Sequence, residues 1–204
     1  MVIHRDVLNL PNLITLGRLF LAVVLFVLIY MQQFWITAAV VFVVAAATDA
    51  LDGFIARRYG MVTTLGRILD PFVDKIIICG AFVFLLEKKV NLASGVENWS
   101  GVNAWMVVII LSREMFVTSL RGFLEQHGKD FSASFSGKIK MIAQCVAVTA
   151  SLLSLAPEFR DIEAFIRIRD VLLWGAVIFT GYSGFAYVNR AMTLIRSQQQ
   201  GGSG

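Results

Sequence analysis

Asp49-Ala50-Leu51-Asp52-Gly53-Phe54-Ile55-Ala56-Arg57, followed after eight intervening residues by Gly66-Arg67-Ile68-Leu69-Asp70-Pro71-Phe72-Val73-Asp74, is the stretch that decides how this chain folds. Four carboxylates stand in it, yet almost wholly apolar runs flank it, residues 35–47 before and 76–86 after. Asp49, Asp52, Gly53 and Ala56 fall at i, i+3, i+4 and i+7, so on a helix they share one face. Asp70 and Asp74 fall at i and i+4 and share a face of the next helix. The linker between Arg57 and Gly66 is short. The two helices are therefore expected as antiparallel neighbours with all four carboxylates at one end.

Composition extends this reading to the whole chain. Of its 204 residues, 57% are hydrophobic and 16% charged, against roughly 45–50% and about 25% in soluble domains. A soluble fold of this size has no interior large enough for so much apolar surface, whereas a bilayer accommodates it. A spanning helix needs about 20 mostly apolar residues, and six such stretches are predicted: 12–31, 35–58, 68–87, 103–125, 137–156 and 170–194. The expected fold is an all-α integral membrane protein of six transmembrane helices. Residues 1–10 mix apolar and charged positions and suit a short interfacial helix. Residues 1–197 are read as a single domain, and 198–204 as a disordered tail ending in a cloning scar, Gly201–Gly204. No cleavable signal peptide is expected. Cys79 and Cys145 have neither metal-ligand nor redox spacing and read as small buried hydrophobes. His4 and His127 are isolated and are not expected to act in catalysis.

Lys and Arg set the orientation. With six spans, thirteen of the 18 basic residues, among them Arg18, Arg57, Arg67, Arg113, Arg121, Lys138 and Lys140, fall on the side of the two termini. That side is expected to be cytoplasmic. The modest net charge of +4 suggests no nucleic-acid partner.

Ionisable groups at membrane depth are costly and usually functional. Four carboxylates facing one another repel unless protons or cations intervene. Oxygen donors without His or Cys favour hard ions such as Mg²⁺, Mn²⁺ or Ca²⁺, and such a set can bridge two ions roughly 3.5–4 Å apart. Gly53, Ala56 and Gly66 leave backbone open to a ligand, and Arg57 can reach an anion held there. Pro71 is expected in a first helical turn, fixing the direction of Asp70. Two other readings remain open: salt bridges to Arg57, Arg58, Arg67 and Lys75, or an ion pathway.

The pattern Asp49-x2-Asp52-Gly53-x2-Ala56-Arg57-x8-Gly66-x3-Asp70-x3-Asp74 resembles the signature of the CDP-alcohol phosphotransferase family at all its fixed positions. The resemblance implies a homodimer, two divalent ions (Mg²⁺ or Mn²⁺), and transfer of a substituted phosphate from a CDP-alcohol to a second alcohol with release of CMP. It implies metal ligation by Asp49, Asp52, Asp70 and Asp74, with Asp74 also the general base. It implies a CDP pocket containing Asp52, Gly53, Ala56, Arg57 and Gly66. Asn12, Thr15 and Arg18, at i, i+3 and i+6 of the first span, are read as lining that pocket or as anchoring the helix at the interface.

A second basic group, Arg113, Arg121, Lys138 and Lys140, is placed to converge on an acceptor phosphate at the cytoplasmic end. Anchoring by basic residues is the other reading, although Arg113 lies well inside its span. Leu10–Arg18, Leu69–Lys75, Arg113-Glu114 and Gly137–Gln144 are similar to the bacterial phosphatidylglycerophosphate synthase branch. Met141 and Val73 depart from the residues expected there. That branch implies CDP-diacylglycerol as donor, sn-glycerol 3-phosphate as acceptor and a place in the bacterial inner membrane. Inositol phosphate, serine or phosphatidylglycerol as acceptor, or a cation transporter without chemistry, are the alternatives. If Asp74 is the base, Asp74→Asn should keep nucleotide binding and lose about 10²–10⁴-fold in turnover. Nucleotide titration beside a CMP-release assay checks this, and equal loss of both would make Asp74 chiefly a ligand.

Overall fold

The computed structural model describes residues 10–59, 64–91, 97–126 and 135–201, with side chains left undescribed at 10–12, 49–68, 89–91, 97–99, 125–126, 135–136 and 194–201. The expected interfacial helix at 1–10 lies almost entirely outside that set. Six helices are present among the described residues: α1 (Leu10–Met31), α2 (Trp35–Tyr59), α3 (Thr64–Leu85), α4 (Ala104–Gln126), α5 (Phe135–Ser154) and α6 (Glu163–Gly201). Each overlaps one of the six apolar stretches. One small element was not anticipated. Strands β1 (Lys89–Asn91) and β2 (Glu97–Trp99) pair antiparallel between α3 and α4, with Val90 opposite Asn98. A three-residue strand falls below what alternation can signal in a sequence.

Two helix boundaries differ from expectation for local reasons. α6 begins seven residues before the apolar run, because Glu163 and Arg167 pair across one turn at 2.5 Å and support an exposed first turn. It runs on to Gly201, into the stretch read as a tail. α3 begins at Thr64, so Pro71 lies inside the helix rather than in its first turn. There the proline removes the backbone bond to the Arg67 carbonyl.

The packing order explains where a site can form. α1 lies against α2 and α3; α5 is central, touching α2, α3 and α6; α4 touches α3 and α6. α4 and α5, although consecutive, do not pack on each other among the described residues. The apolar core runs through the bundle and includes Leu25, Phe42, Ile77, Phe82, Ile110, Leu152 and Leu173. Gly80 permits the closest approach in it. A Cβ there would stand 2.3 Å from the ring of Phe26, which is stacked on Phe84 at 4.8 Å.

The outside of the bundle is apolar too. Phe20, Tyr30, Trp105, Val171, Ile178 and Phe185 are all at least 66% exposed, whereas Arg18, Glu114, Lys140, Gln144 and Arg169 are buried. Water-soluble proteins rarely show so much contiguous apolar surface. α1 and α6 are long and apolar enough to cross a membrane, and the part of α2 over Trp35–Thr48 is apolar but shorter. Charged residues in α3, α4, α5 and the end of α2 interrupt their apolar runs.

The end of the bundle away from the acidic stretch is closed by polar bonds. Ser100 Oγ donates to the Leu85 carbonyl at 2.5 Å, and Ser151 Oγ to the Ser100 carbonyl at 2.7 Å. Buried Arg169 donates to Asp170 at 2.8 Å and to Ser154 at 3.2 Å. Gly101 turns the chain there with φ 80°. In the core, Gly80→Ala should cost about 1–3 kcal/mol through the clash with Phe26. Thermal unfolding in detergent should show the loss, and Phe26→Leu in the same chain should recover part of it.

Candidate active site

The α3 aspartates are held by the first helix. Thr15 Oγ1 donates to Asp70 Oδ1 at 2.5 Å. Arg18 Nη2 donates to Asp74 Oδ1, and Arg18 Nε reaches the Ala45 carbonyl of α2 at 3.3 Å. Arg18 is only 2% exposed, so this is a buried tie among three helices. Thr15 and Arg18, read as pocket-lining or anchoring residues, thus face the two α3 carboxylates. Thr48 sits one residue before Asp49 and donates back to the Val44 and Ala45 carbonyls at 3.0 and 2.9 Å. The side chains of Asn12, Asp49, Asp52, Gly53, Ala56, Arg57 and Gly66 lie outside the described residues. The backbones of α2 and α3 that carry most of them are neighbours.

Beside the aspartates, the gap between α4 and α5 opens into a cleft of about 850 Å³. α3 contributes Asp74, Lys75 and Cys79; α4 contributes Arg113, Glu114 and Arg121; α5 contributes Lys138, Lys140 and Gln144; α6 contributes Tyr187. All four basic residues assigned to an acceptor phosphate therefore border one cavity, with Asp74 on its wall. The cavity exists because consecutive helices diverge, and Glu114 spans the divergence. Its Oε1 receives Lys140 Nζ at 2.5 Å and Arg113 Nη1 at 3.2 Å. Arg113 also lies over the Tyr187 ring at 5.5 Å. Gly184 makes that passage possible, since a Cβ there would stand 3.0 Å from Arg113 Cγ.

The cleft keeps unmet hydrogen-bonding capacity. Arg113 Nε, Arg121 Nε and Gln144 Oε1 are buried without a hydrogen-bond partner among the described residues. Buried polar groups are normally paired, so two guanidinium donors left over in one cavity suit an anion. Lys138 is exposed at the cleft's edge, while Lys140 is buried in the ion pair with Glu114.

Sequence reasoning quotes Glu114 and Gln144 only as parts of longer stretches and gives them no role, and it does not single out Tyr187. Glu114 carried a signal, because an acid inside a spanning helix is functional by default. Tyr187 carried none, and Gln144 none of its own beyond the stretch it closes, since each reads as ordinary helix filling until a neighbouring helix is placed beside it.

The donor set fits a hard divalent ion. Asp70 and Asp74 supply carboxylate oxygens one helical turn apart and half-buried, the oxygen donors that a hard ion takes. Among the described residues no group of three or more His, Cys, Asp or Glu is assembled; Asp49 and Asp52 are not in that set.

A bundle with charged groups tied inside it, apolar side chains outside and an acid-walled cationic cleft defines a class: a membrane-associated protein that handles anionic phosphate compounds. The chain belongs to the CDP-alcohol phosphatidyltransferase family, whose model matches residues 8–182. It is 36% identical to a Bacillus subtilis protein named CDP-diacylglycerol--glycerol-3-phosphate 3-phosphatidyltransferase, over 93% of this chain and 98% of that one. Proteins of the same name from Rickettsia typhi and Yersinia pestis (strain Pestoides F) are each 32% identical. They match 91% and 90% of this chain, and 98% and 95% of their own.

Breaking a buried ion pair from one side leaves an uncompensated charge worth roughly 3–5 kcal/mol. Glu114→Gln should therefore lower the unfolding temperature by about 5 °C or more. Glu114→Gln combined with Lys140→Met should recover much of that loss in the same melting assay.

Proposed function

We propose that this chain transfers the phosphatidyl group of CDP-diacylglycerol to sn-glycerol 3-phosphate, giving phosphatidylglycerol phosphate and CMP. The observation that carries the reading is the cleft whose wall holds both Asp74 and two guanidinium groups with unmet donors. Such a cavity suits an acceptor that brings its own phosphate beside a base. The names of the relatives specify that acceptor, and the match covers nearly the full length of both chains.

In this reading the chain crosses a bacterial inner membrane six times as one domain, with both termini and the site on the cytoplasmic side. The apolar outer faces meet lipid, and the four helices with interrupted apolar runs supply the charged groups of the cleft and the aspartates. The protein works as a homodimer. Asp49, Asp52, Asp70 and Asp74 hold two divalent ions, Mg²⁺ or Mn²⁺. Bound there, the ions neutralise the pyrophosphate of the donor and favour departure of CMP. Asp52, Gly53, Ala56, Arg57 and Gly66 receive the CDP moiety, together with Asn12, Thr15 and Arg18. Thr15 and Arg18 also fix the directions of Asp70 and Asp74.

The residues of the cleft then do the remaining work. Arg113, Arg121, Lys138 and Lys140 hold the acceptor phosphate and so bring the terminal hydroxyl toward Asp74. The hydroxyl oxygen bonds to the lipid-bearing phosphorus as the bond from that phosphorus to the CMP oxygen breaks. Asp74 takes the hydroxyl proton. Positioning supplies a large part of the rate, because the acceptor reacts from a held geometry. No nucleophile with a neighbouring base suggests a covalent intermediate, so a single displacement is the simplest course.

Purified protein with CDP-diacylglycerol and a panel of acceptors tests the assignment. CMP release should depend on glycerol 3-phosphate, and release only with inositol phosphate, serine or phosphatidylglycerol would overturn it. Arg121→Ala should raise the KM for glycerol 3-phosphate by about tenfold, since hydrogen bonds to charged groups are worth roughly 1.5–3 kcal/mol. The donor KM should change far less, and an effect confined to the donor would place Arg121 in the nucleotide pocket.

A further inference from the structure

Gln144 is the one wholly enclosed uncharged polar side chain on the cleft, at 0% exposure. It projects from α5 one turn beyond Lys140, so the two share a helix face. Its Nε2 donates to Thr180 Oγ1 of α6 at 3.0 Å. The other end of the group, Oε1, is buried with no donor to meet it among the described residues. A buried carbonyl oxygen left without a partner costs about 1–3 kcal/mol, and a ligand hydroxyl would remove that cost. The other unmet polar atoms on the same cleft, Arg113 Nε and Arg121 Nε, are donors. The cavity thus offers cationic donors for a phosphate and, in Gln144 Oε1, an unmet neutral acceptor for a hydroxyl.

We propose that Gln144 is a specificity-determining residue that accepts a hydrogen bond from the non-reacting hydroxyl of a polyol phosphate acceptor, with Thr180 as its positioning residue. The inference rests on the reading of the cleft as the acceptor site. It adds a reason why a three-carbon polyol phosphate is preferred to a simple hydroxyalkyl phosphate. The phosphate fixes one end of the acceptor, the attacking hydroxyl occupies the other, and Gln144 reads the group between them. Sites built around a substrate hydroxyl reject analogues that lack it, because the protein group is left unpaired.

The test compares glycerol 3-phosphate with 3-hydroxypropyl phosphate, which keeps the phosphate and the terminal hydroxyl but lacks the middle one. Wild-type protein should favour glycerol 3-phosphate in kcat/KM by on the order of 10- to 100-fold. Gln144→Met fills nearly the same volume without an oxygen. It should lower kcat/KM for glycerol 3-phosphate by that factor and for the analogue far less, so the ratio falls toward one. A ratio unchanged in Gln144→Met, or equal losses with both acceptors, overturns the proposal. Thr180→Val, which frees the carboxamide to rotate, should lower the same ratio by about threefold or more. An unchanged ratio in folded Thr180→Val protein overturns the proposal even if Gln144→Met fails to fold. Wild-type protein that uses neither compound but releases CMP with another alcohol overturns the acceptor reading itself, and this is seen before any variant is made.

Discussion

A charge inside an apolar bundle must find its partner on another helix, and this requirement organises the molecule. Arg18 of α1 meets Asp74 of α3 and the Ala45 carbonyl of α2 in one buried contact. Glu114 of α4 meets Lys140 of α5 in another. Neither pair is a surface bridge of the kind that contributes little. Both lie where losing one partner strands the other in a medium that solvates it poorly. The first pair sets where the α3 carboxylates point. The second ties together, across the cleft, two helices that do not otherwise pack among the described residues. The contacts that settle helix positions are thus the contacts that prepare the site.

This explains an apparent weakness in the hydropathy pattern. α1 and α6 read as membrane-crossing helices by length and apolarity, and they carry few of the cleft's charged groups. α3, α4 and α5 have apolar outer faces as well, with Phe72, Val83, Trp105, Met115, Phe116 and Ile142 all exposed. Their inward faces carry Asp70, Asp74, Arg113, Glu114, Arg121 and Lys140. The average over such a helix is moderate because one side is built for lipid and the other for phosphate.

The helices were legible in the sequence because long apolar runs impose their own length scale, and the shared faces of Asp49 with Asp52 and of Asp70 with Asp74 follow from the helical period alone. The basic residues of the cleft were legible as a group for a similar reason, since Arg113 stands too deep to be a simple anchor. Partnerships between helices were not. A period gives the face a residue occupies but not the helix opposite it, so the pairing of Arg18 with Asp74 could not be read from it. Glu114 was hidden by its neighbour Arg113, which drew attention as a phosphate ligand. Gln144 became informative only once Thr180 was placed against one end of its amide. Pro71 was misplaced because the apolar run marks where hydrocarbon begins, not where the helix begins.

The central claim is that the aspartates at the ends of α2 and α3 hold divalent metal beside the cationic cleft. Electron paramagnetic resonance of Mn²⁺ titrated into the purified protein, in the presence of CDP, tests it most directly. The account predicts loss of the free-ion signal as two ions bind per chain, and near-complete return of that signal in the Asp70→Asn, Asp74→Asn double variant. Equal Mn²⁺ uptake by the wild type and the double variant would contradict it.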